Sequence, residues 1–248
     1  MNVSAECDHC YAESRDRRMH GHDNWGKDAL RLYHVDSYWR QLRKWNREAE
    51  VAGERRRVFE GSLCDVMEDR PDLIEPRNRL LAEVEATPWL DHLMLTKRPH
   101  NFRKFLPSAW LENPLPNVWL GTTVGVNKSV WRIGELRNAP ARVRFLSIEP
   151  LLEYVDLSDY LVGLHWVIFG GESGPKARPC NQQWIQSGVS QCRAAGVAPF
   201  VKQLGSYWAK CQNADPEQWT RIDSHGADWE QWPGNLRVRE FPISSGLT

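Results

Sequence analysis

Short apolar segments alternate with helix-like stretches along most of the chain. The apolar segments are rich in Val, Ile, Leu and Phe and nearly continuous in hydrophobicity, which is typical of strands buried on both faces. Six of them are predicted to be strands, at residues 58–62, 92–96, 118–122, 143–148, 166–169 and 199–202. Three stretches between them are predicted to be helices, at residues 77–85, 129–137 and 183–195. Repeated alternation of strand and helix indicates a parallel sheet.

The number of strands and the absence of nucleotide-fold motifs decide between the common α/β architectures. Six strands favour a barrel over an open doubly wound sheet, and no glycine-rich nucleotide-binding motif opens a helix. We therefore predict the α/β class, with a TIM-like partial (β/α) barrel of parallel strands as its core over residues 58–205.

Two regions of different composition flank the predicted barrel. Residues 1–57 precede the barrel, and from Glu13 to Arg57 the sequence is polar, aromatic and rich in arginine. Apolar positions at helical spacing predict one or two amphipathic helices within residues 27–54. The cluster Arg55-Arg56-Arg57 is predicted to be a solvated helix end, with a phosphate-facing role as the alternative. Residues 206–248 carry four tryptophans among Gly, Pro and Asp and are predicted to form an irregular cap. No linker indicates a second domain, so residues 1–248 are predicted to form one.

Charge and hydropathy limit the function classes. The 248 residues contain 32 Lys+Arg and 32 Asp+Glu, and this balance argues against a general binder of nucleic acid or membrane surfaces while leaving room for a local basic patch. No apolar run approaches the ~18–20 residues that a membrane helix needs. The N-terminal residues lack the basic start and apolar core of a secretory signal. A cytoplasmic location is therefore predicted, in which the six cysteines stay reduced.

Polar or charged residues follow nearly every predicted strand. In parallel barrels the functional site lies at the carboxyl ends of the strands, because the loops there converge. The candidates are Asp65, Lys97, Arg98, Glu149, Gly170, Gly171, Glu172, Ser173 and Lys202. Charges buried together need pairing or a ligand, so a zwitterionic or phosphorylated ligand would suit this set. The glycines would let the backbone approach a ligand, with a tight turn as the alternative.

Cys7-Asp8-His9-Cys10 is a second candidate site. Such a pair can belong to an iron–sulfur cluster, a zinc site or a redox dithiol, or can be structural. Zinc would need two more ligands, and His20 and His22 are available at a spacing that fits no usual finger. Whether Cys64 or Cys180 joins a metal site is left open, with a simple buried thiol favoured for Cys180.

Long motifs then point to a family. The segment VSAECDHCYAE (3–13) is similar to the signature of a phage-associated family of uncharacterised proteins related to the radical SAM enzymes. Further matching segments, in the same order and at similar spacing, are LTKRPHNF (95–102), NVWLGTTV (117–124), RFLSIEPLL (144–152), WVIFGGESGPKARP (166–179), CRAAGVAPFVKQLG (192–205) and WPGNLRVREFP (232–242). Spore photoproduct lyase-like repair enzymes are the nearest characterised relatives that this resemblance suggests.

The resemblance implies a 4Fe-4S cluster held by three cysteines, with S-adenosylmethionine on the fourth iron. Cys7 and Cys10 would be two of these metal ligands. The family's third cysteine would fall immediately before Met1, and its first barrel strand would precede that, so we expect both to be missing from this chain. A miscalled start at an internal Met and a truncated gene are the two explanations.

The resemblance also suggests roles for the strand-end residues. The cofactor-binding candidates are Gly170, Gly171, Glu172, Ser173, Lys97 and Lys202, and the substrate-side candidates are Asp65, Arg98 and Glu149. The predicted function is that of a radical-SAM-like enzyme of phage or mobile-element origin. Its substrate is unknown, with nucleic acid as one candidate, and a genetically linked protein is a candidate binding partner. The alternatives are a non-catalytic, zinc- or cluster-stabilised nucleic-acid-binding module using residues 40–57 and the Trp-rich tail, or an inactive remnant.

Overall fold

A computed structural model describes residues 3–20, 25–26, 28–33, 35–214 and 222–242. Six parallel strands run in the order β1 to β6 across one sheet. The strands are β1 (Arg56–Glu60), β2 (Leu90–Thr96), β3 (Val118–Thr123), β4 (Val143–Ile148), β5 (Trp166–Gly170) and β6 (Ala198–Gln203). The α-helices within these ranges are α1 (Tyr11–His20), α2 (Asp36–Ala52), α3 (Ile74–Glu85), α4 (Phe102–Phe105), α5 (Ser108–Glu112), α6 (Trp131–Asn138), α7 (Gln182–Ala194) and α8 (Ser206–Asn213).

The predicted α/β class is confirmed, and six parallel strands in sequential order agree with a partial (β/α) barrel. Every predicted strand is present, and β3 and β5 are buried at every position, as their continuous apolar runs predict, whereas β1 is largely exposed. No helix in the described ranges is both long enough and apolar enough to cross a membrane.

The arginine cluster is not a helix end, so that prediction is wrong. Helix α2 stops at Ala52 because Gly53 adopts a left-handed conformation (φ 64°) and its N–H closes on the carbonyls of Ala49 and Glu50. Two of the three arginines then belong to β1. The predicted helical region also begins too early, since residues 28–33 and 35 are not helical.

The tail is more regular than predicted near its start. Residues 206–213 form α8, so the prediction of irregular structure is wrong there. This helix buries only Ala209 and half-buries Trp208, so its sequence has too weak an apolar periodicity to reveal it. Trp219 lies outside the described residues. Farther on, the Val201 N–H donates to the Val238 carbonyl (2.7 Å), so the tail lies along the edge of β6.

The described residues divide into two compact units. The first draws on Ala12–Thr122 and Glu135–Arg144, and the second on Asn2–Tyr11, Thr123–Gly134 and Phe145–Thr248. The single-domain assignment stays a prediction.

Each unit has its own apolar core. In the first, β2 pairs in parallel with β1 and β3, and Leu93, Met94 and Leu120 are buried. In the second, β5 pairs with β4 and β6, and Phe145 and Phe169 are buried. The carboxyl ends of β4, β5 and β6 therefore carry the candidate groups of the second unit.

Candidate functional site

The cysteine loop, residues 5–10, belongs to the second unit and directly precedes α1 along the chain. A short 3-10 helix spans Ala5–Cys7, and the Cys7 N–H donates to the Ser4 carbonyl (2.8 Å). Cys10 follows one turn later, with its N–H donating to the Cys7 carbonyl (3.3 Å). Cys7 is buried and Cys10 is half-buried. Both cysteines therefore belong to one tight turn immediately before a helix.

Glu6 fixes one side of the cysteine loop. Its carboxylate is buried and accepts hydrogen bonds from the Ser129 hydroxyl (2.6 Å) and the Gly125 N–H (3.1 Å), and it lies 3.4 Å from the Arg132 guanidinium. Burial opposes ionisation of Glu6, but hydrogen bonds from Ser129 and Gly125 outweigh it and lower the pKa of the carboxyl group. The loop is thereby attached to the segment that follows β3.

Arg178 fixes the other side of the loop. Its guanidinium donates to both oxygens of Glu172 (2.6 and 2.9 Å) and to the Ala5 carbonyl (3.0 Å). Asp8 and His9 also lie near this pair, at 3.8 Å from Arg178 and 3.6 Å from Glu172. Burial opposes ionisation of Glu172, but the Arg178 guanidinium lowers the pKa of that carboxyl. Glu172 is therefore already engaged by the protein on both of its oxygens.

Glu149 and Lys202 form an ion pair at the ends of β4 and β6. Their charged groups lie 3.0 Å apart, and Gln203 Nε2 lies 2.9 Å from the other Glu149 oxygen. Burial opposes the charged form of Lys202, but the Glu149 carboxylate outweighs it and raises the pKa of the ammonium group. The Lys202 side chain is 54% exposed, so this pair is accessible from solvent.

The glycine-rich segment after β5 packs against the protein's own backbone. A Cβ on Gly171 would lie 2.3 Å from the Leu204 carbonyl oxygen, so no larger residue fits there. The Gly170 carbonyl accepts from the Leu151 N–H (3.0 Å), and the Ser173 hydroxyl lies 2.6 Å from Gln203 Nε2. Close approach of two chain segments accounts for Gly171 without a ligand.

A separate polar cluster occupies the strand ends of the first unit. The Asp65 carboxylate accepts from the Thr96 hydroxyl (2.7 Å), the Met67 N–H (3.0 Å) and the Arg98 guanidinium (2.6 Å). Lys97 is half-buried, and its ammonium forms no ion pair with any residue that the structure describes. Asp65 and Arg98 thus form an ion pair with each other, while the Lys97 ammonium has no ion-pair partner among the described residues.

The predicted residues fall into two groups. Asp65, Lys97 and Arg98 belong to the first unit. The second unit brings together Cys7, Cys10, Glu149, Gly170, Gly171, Glu172, Ser173 and Lys202. Their roles toward a ligand stay predictions.

The residues present do not complete a three-cysteine cluster site. Cys7 and Cys10 share a turn, but among the described residues no group of three or more His, Cys, Asp or Glu side chains could hold a metal ion. Burial raises the pKa of the Cys180 thiol to about 12, which opposes the thiolate form that a metal requires. The His20 side chain and His22 lie outside the described residues.

The arginines near α2 mostly have protein partners. Arg43 pairs with Glu83, Arg55 with Asp91 and Arg56 with Glu48. Among the tail tryptophans, Trp232 is buried and donates to the Gly226 carbonyl (2.9 Å). The nucleic-acid-binding alternative for these regions stays a prediction.

Sequence reasoning missed Glu6 and Arg178. Both lie within the family-like segments 3–13 and 166–179, but neither stands directly at the end of a strand. Glu6 could have been found from its place next to Cys7, because a carboxylate there needs a partner once the loop is buried.

The chain belongs to a family described as "Protein of unknown function (DUF5131)", whose model matches residues 1–233. No curated protein matches the chain.

Proposed function

We propose that this protein is a radical-SAM-like iron–sulfur protein of unknown substrate, in which Cys7 and Cys10 supply two thiolates to a 4Fe-4S cluster. The observation that carries the proposal is the placement of the cysteine loop. Glu6 and Arg178 hold it beside the polar strand ends of the second unit, and Cys10 is half-buried rather than enclosed in the core. A loop that served only to fill the core would not need charged side chains to hold it.

The third ligand is the open element of this proposal. The described residues provide two of the three thiolates, so no reaction step is assigned to the cluster. The resemblance supports the rest of the proposal: S-adenosylmethionine as cofactor, a phage or mobile-element origin and nucleic acid as one candidate substrate. The cytoplasmic location is proposed on the sequence pattern alone.

A paired insertion tests the proposal directly. One variant carries a cysteine inserted before Met1, where the resemblance places the third ligand, and its control carries a serine there. After anaerobic reconstitution with Fe²⁺ and sulfide, we expect the cysteine form to bind about four iron and four sulfide per chain. It should also release 5′-deoxyadenosine from S-adenosylmethionine when dithionite is added.

Single substitutions then assign the ligands. Cys7→Ser and Cys10→Ser in the cysteine form should lose the cluster, whereas Cys211→Ser should keep it, because Cys211 is exposed on α8. Equal iron and sulfide in the cysteine and serine forms would contradict the proposal. Zinc bound without iron would instead support the non-catalytic binding module.

A further inference from the structure

We infer that Glu6 and the Arg178–Glu172 pair form a two-sided latch that preforms the cysteine loop before any metal binds. The latch is defined by these three residues. It deepens the proposed function and rests on it for the identity of the metal group. It gives Glu172 the role of a positioning residue rather than a ligand contact.

The first side of the latch is a buried carboxylate with several donors. Glu6 is adjacent to Cys7, and its Oε1 receives the Ser129 hydroxyl, the Gly125 N–H and the Arg132 guanidinium at 2.6, 3.1 and 3.4 Å. Removing one partner of a buried hydrogen-bonded charge leaves the others unsatisfied, so the loop cannot lift off without losing all of these bonds together. This side ties Cys7 to the segment after β3.

The second side approaches from the segment after β5. Arg178 holds Glu172 with two forked contacts and at the same time donates to the Ala5 carbonyl, two residues before Cys7. Forked Arg–carboxylate pairs fix orientation as well as distance. Because the guanidinium contacts both segments, Arg178 links the cysteine loop to the segment after β5.

Both sides act on protein groups only, so the latch closes without metal. This separates the chain from small zinc modules, whose ligand loops become ordered only when metal binds. The consequence is measurable as protection of Cys7 in the metal-free protein.

The test is alkylation of the metal-free protein, followed for each cysteine by peptide mass spectrometry. In the wild-type chain, Cys7 should react at least about tenfold more slowly than the exposed Cys211, because its side chain opens only by local detachment of the loop. In Arg178→Ala and Glu6→Ala, loss of hydrogen bonds to a charged group should speed the reaction of Cys7 about 10- to 100-fold.

Two matched controls remove similar interactions elsewhere in the second unit. Arg193→Ala breaks an exposed Arg–Glu pair with Glu240 (2.8 Å), and Glu153→Ala removes a carboxylate that accepts from Asn127. Both should leave the Cys7 rate within about twofold of wild type. The buried Cys192 reports on the whole unit and should stay unreactive in every variant.

The outcomes separate the latch from alternatives. A wild-type Cys7 as reactive as Cys211, or an unchanged Cys7 rate in Arg178→Ala, overturns the inference. If Cys7 and Cys192 become reactive together in Arg178→Ala, the arginine supports the whole unit rather than the loop, and the inference is again wrong. Arg178 is 27% exposed, so this variant can be made even if Glu6→Ala fails to fold.

The latch and the proposed function fail in different ways. Iron takes no part in the alkylation assay. A protected Cys7 that Arg178→Ala exposes, combined with no cluster in the cysteine-insertion variant, supports the latch and rejects the proposed function. If the cluster assembles and the alkylation rate of Cys7 is unchanged in Arg178→Ala, the proposed function is supported and the latch is rejected.

Discussion

Replacing His92 with leucine removes one partner from a polar pair that is buried in the first unit. His92 in β2 lies with Nδ1 2.7 Å from the Glu60 carboxylate at the end of β1, and with Nε2 2.9 Å from the Thr87 hydroxyl. The two side chains of the pair are 0% and 2% exposed. Thr87 also donates to the Glu83 carbonyl (2.6 Å), so the His92 ring bridges two polar groups of the core.

The magnitude follows from what the substitution leaves behind. His92→Leu leaves the Glu60 carboxylate buried without its partner, and breaking such a pair costs about 3–5 kcal/mol of unfolding free energy. Replacing both residues with leucine leaves no buried charge and retains the Thr87–Glu83 bond. The double variant should therefore lose only about 1–2 kcal/mol, less than His92→Leu alone.

Urea unfolding followed by tryptophan fluorescence measures the effect, with Glu60→Leu completing a double-mutant cycle. We expect a coupling free energy of at least about 2 kcal/mol between the two sites. A cost below about 1 kcal/mol for His92→Leu would refute the reasoning, since a buried partner without compensation cannot be that cheap. A double variant whose loss equals the sum of the single losses would refute it equally.

The remaining predictions concern the second unit. Gly171→Ala should destabilise the protein by about 1–3 kcal/mol, because the added Cβ meets the Leu204 carbonyl. Gly134→Ala in α6, where nothing lies within 4 Å of the added Cβ, should stabilise the protein by about 0.5–1 kcal/mol. Thermal unfolding checks both, and a Gly171→Ala variant as stable as wild type would contradict the close approach. The pKa values of Glu6 and Glu172 are lowered from 4.5, so their stabilisation is fully present above that pH and is lost as pH falls through the folded pKa values. Urea midpoints measured at falling pH should therefore decline less in Glu6→Gln than in wild type, and parallel declines would contradict this.

The sheet could be predicted from the sequence because burial on both faces leaves a direct pattern. A strand such as β5 is apolar at every position but its closing glycine, and no other element gives so short and continuous a run between helical stretches. The failures lie where one residue decides. Gly53 ends α2 and lets Arg56 and Arg57 enter β1, and a run of three arginines carries no pattern that announces a strand.

The candidate site could be predicted only in part, because a sequence shows which charges exist but not which ones neutralise each other. Glu172 and Asp65 stand at strand ends as expected, yet each is held by an arginine, Arg178 and Arg98. Lys97 differs, since no described residue pairs with its ammonium. Strand-end position therefore indicates which charged groups to consider, whereas the protein partners that those groups already have could be seen only in the structure.

Several buried charges of the second unit lie around the cysteine loop, as the proposed function requires. Burying an ionised side chain costs several kcal/mol unless it is paired and hydrogen-bonded. Glu6, Arg132 and Glu172 are all buried, and each contacts the cysteine loop or a residue that does. Charges arranged around two cysteines would fix the positions of the sulfur atoms. The alkylation experiment tests whether the loop is held in place without metal, and the reconstitution experiment tests whether its thiolates bind a cluster.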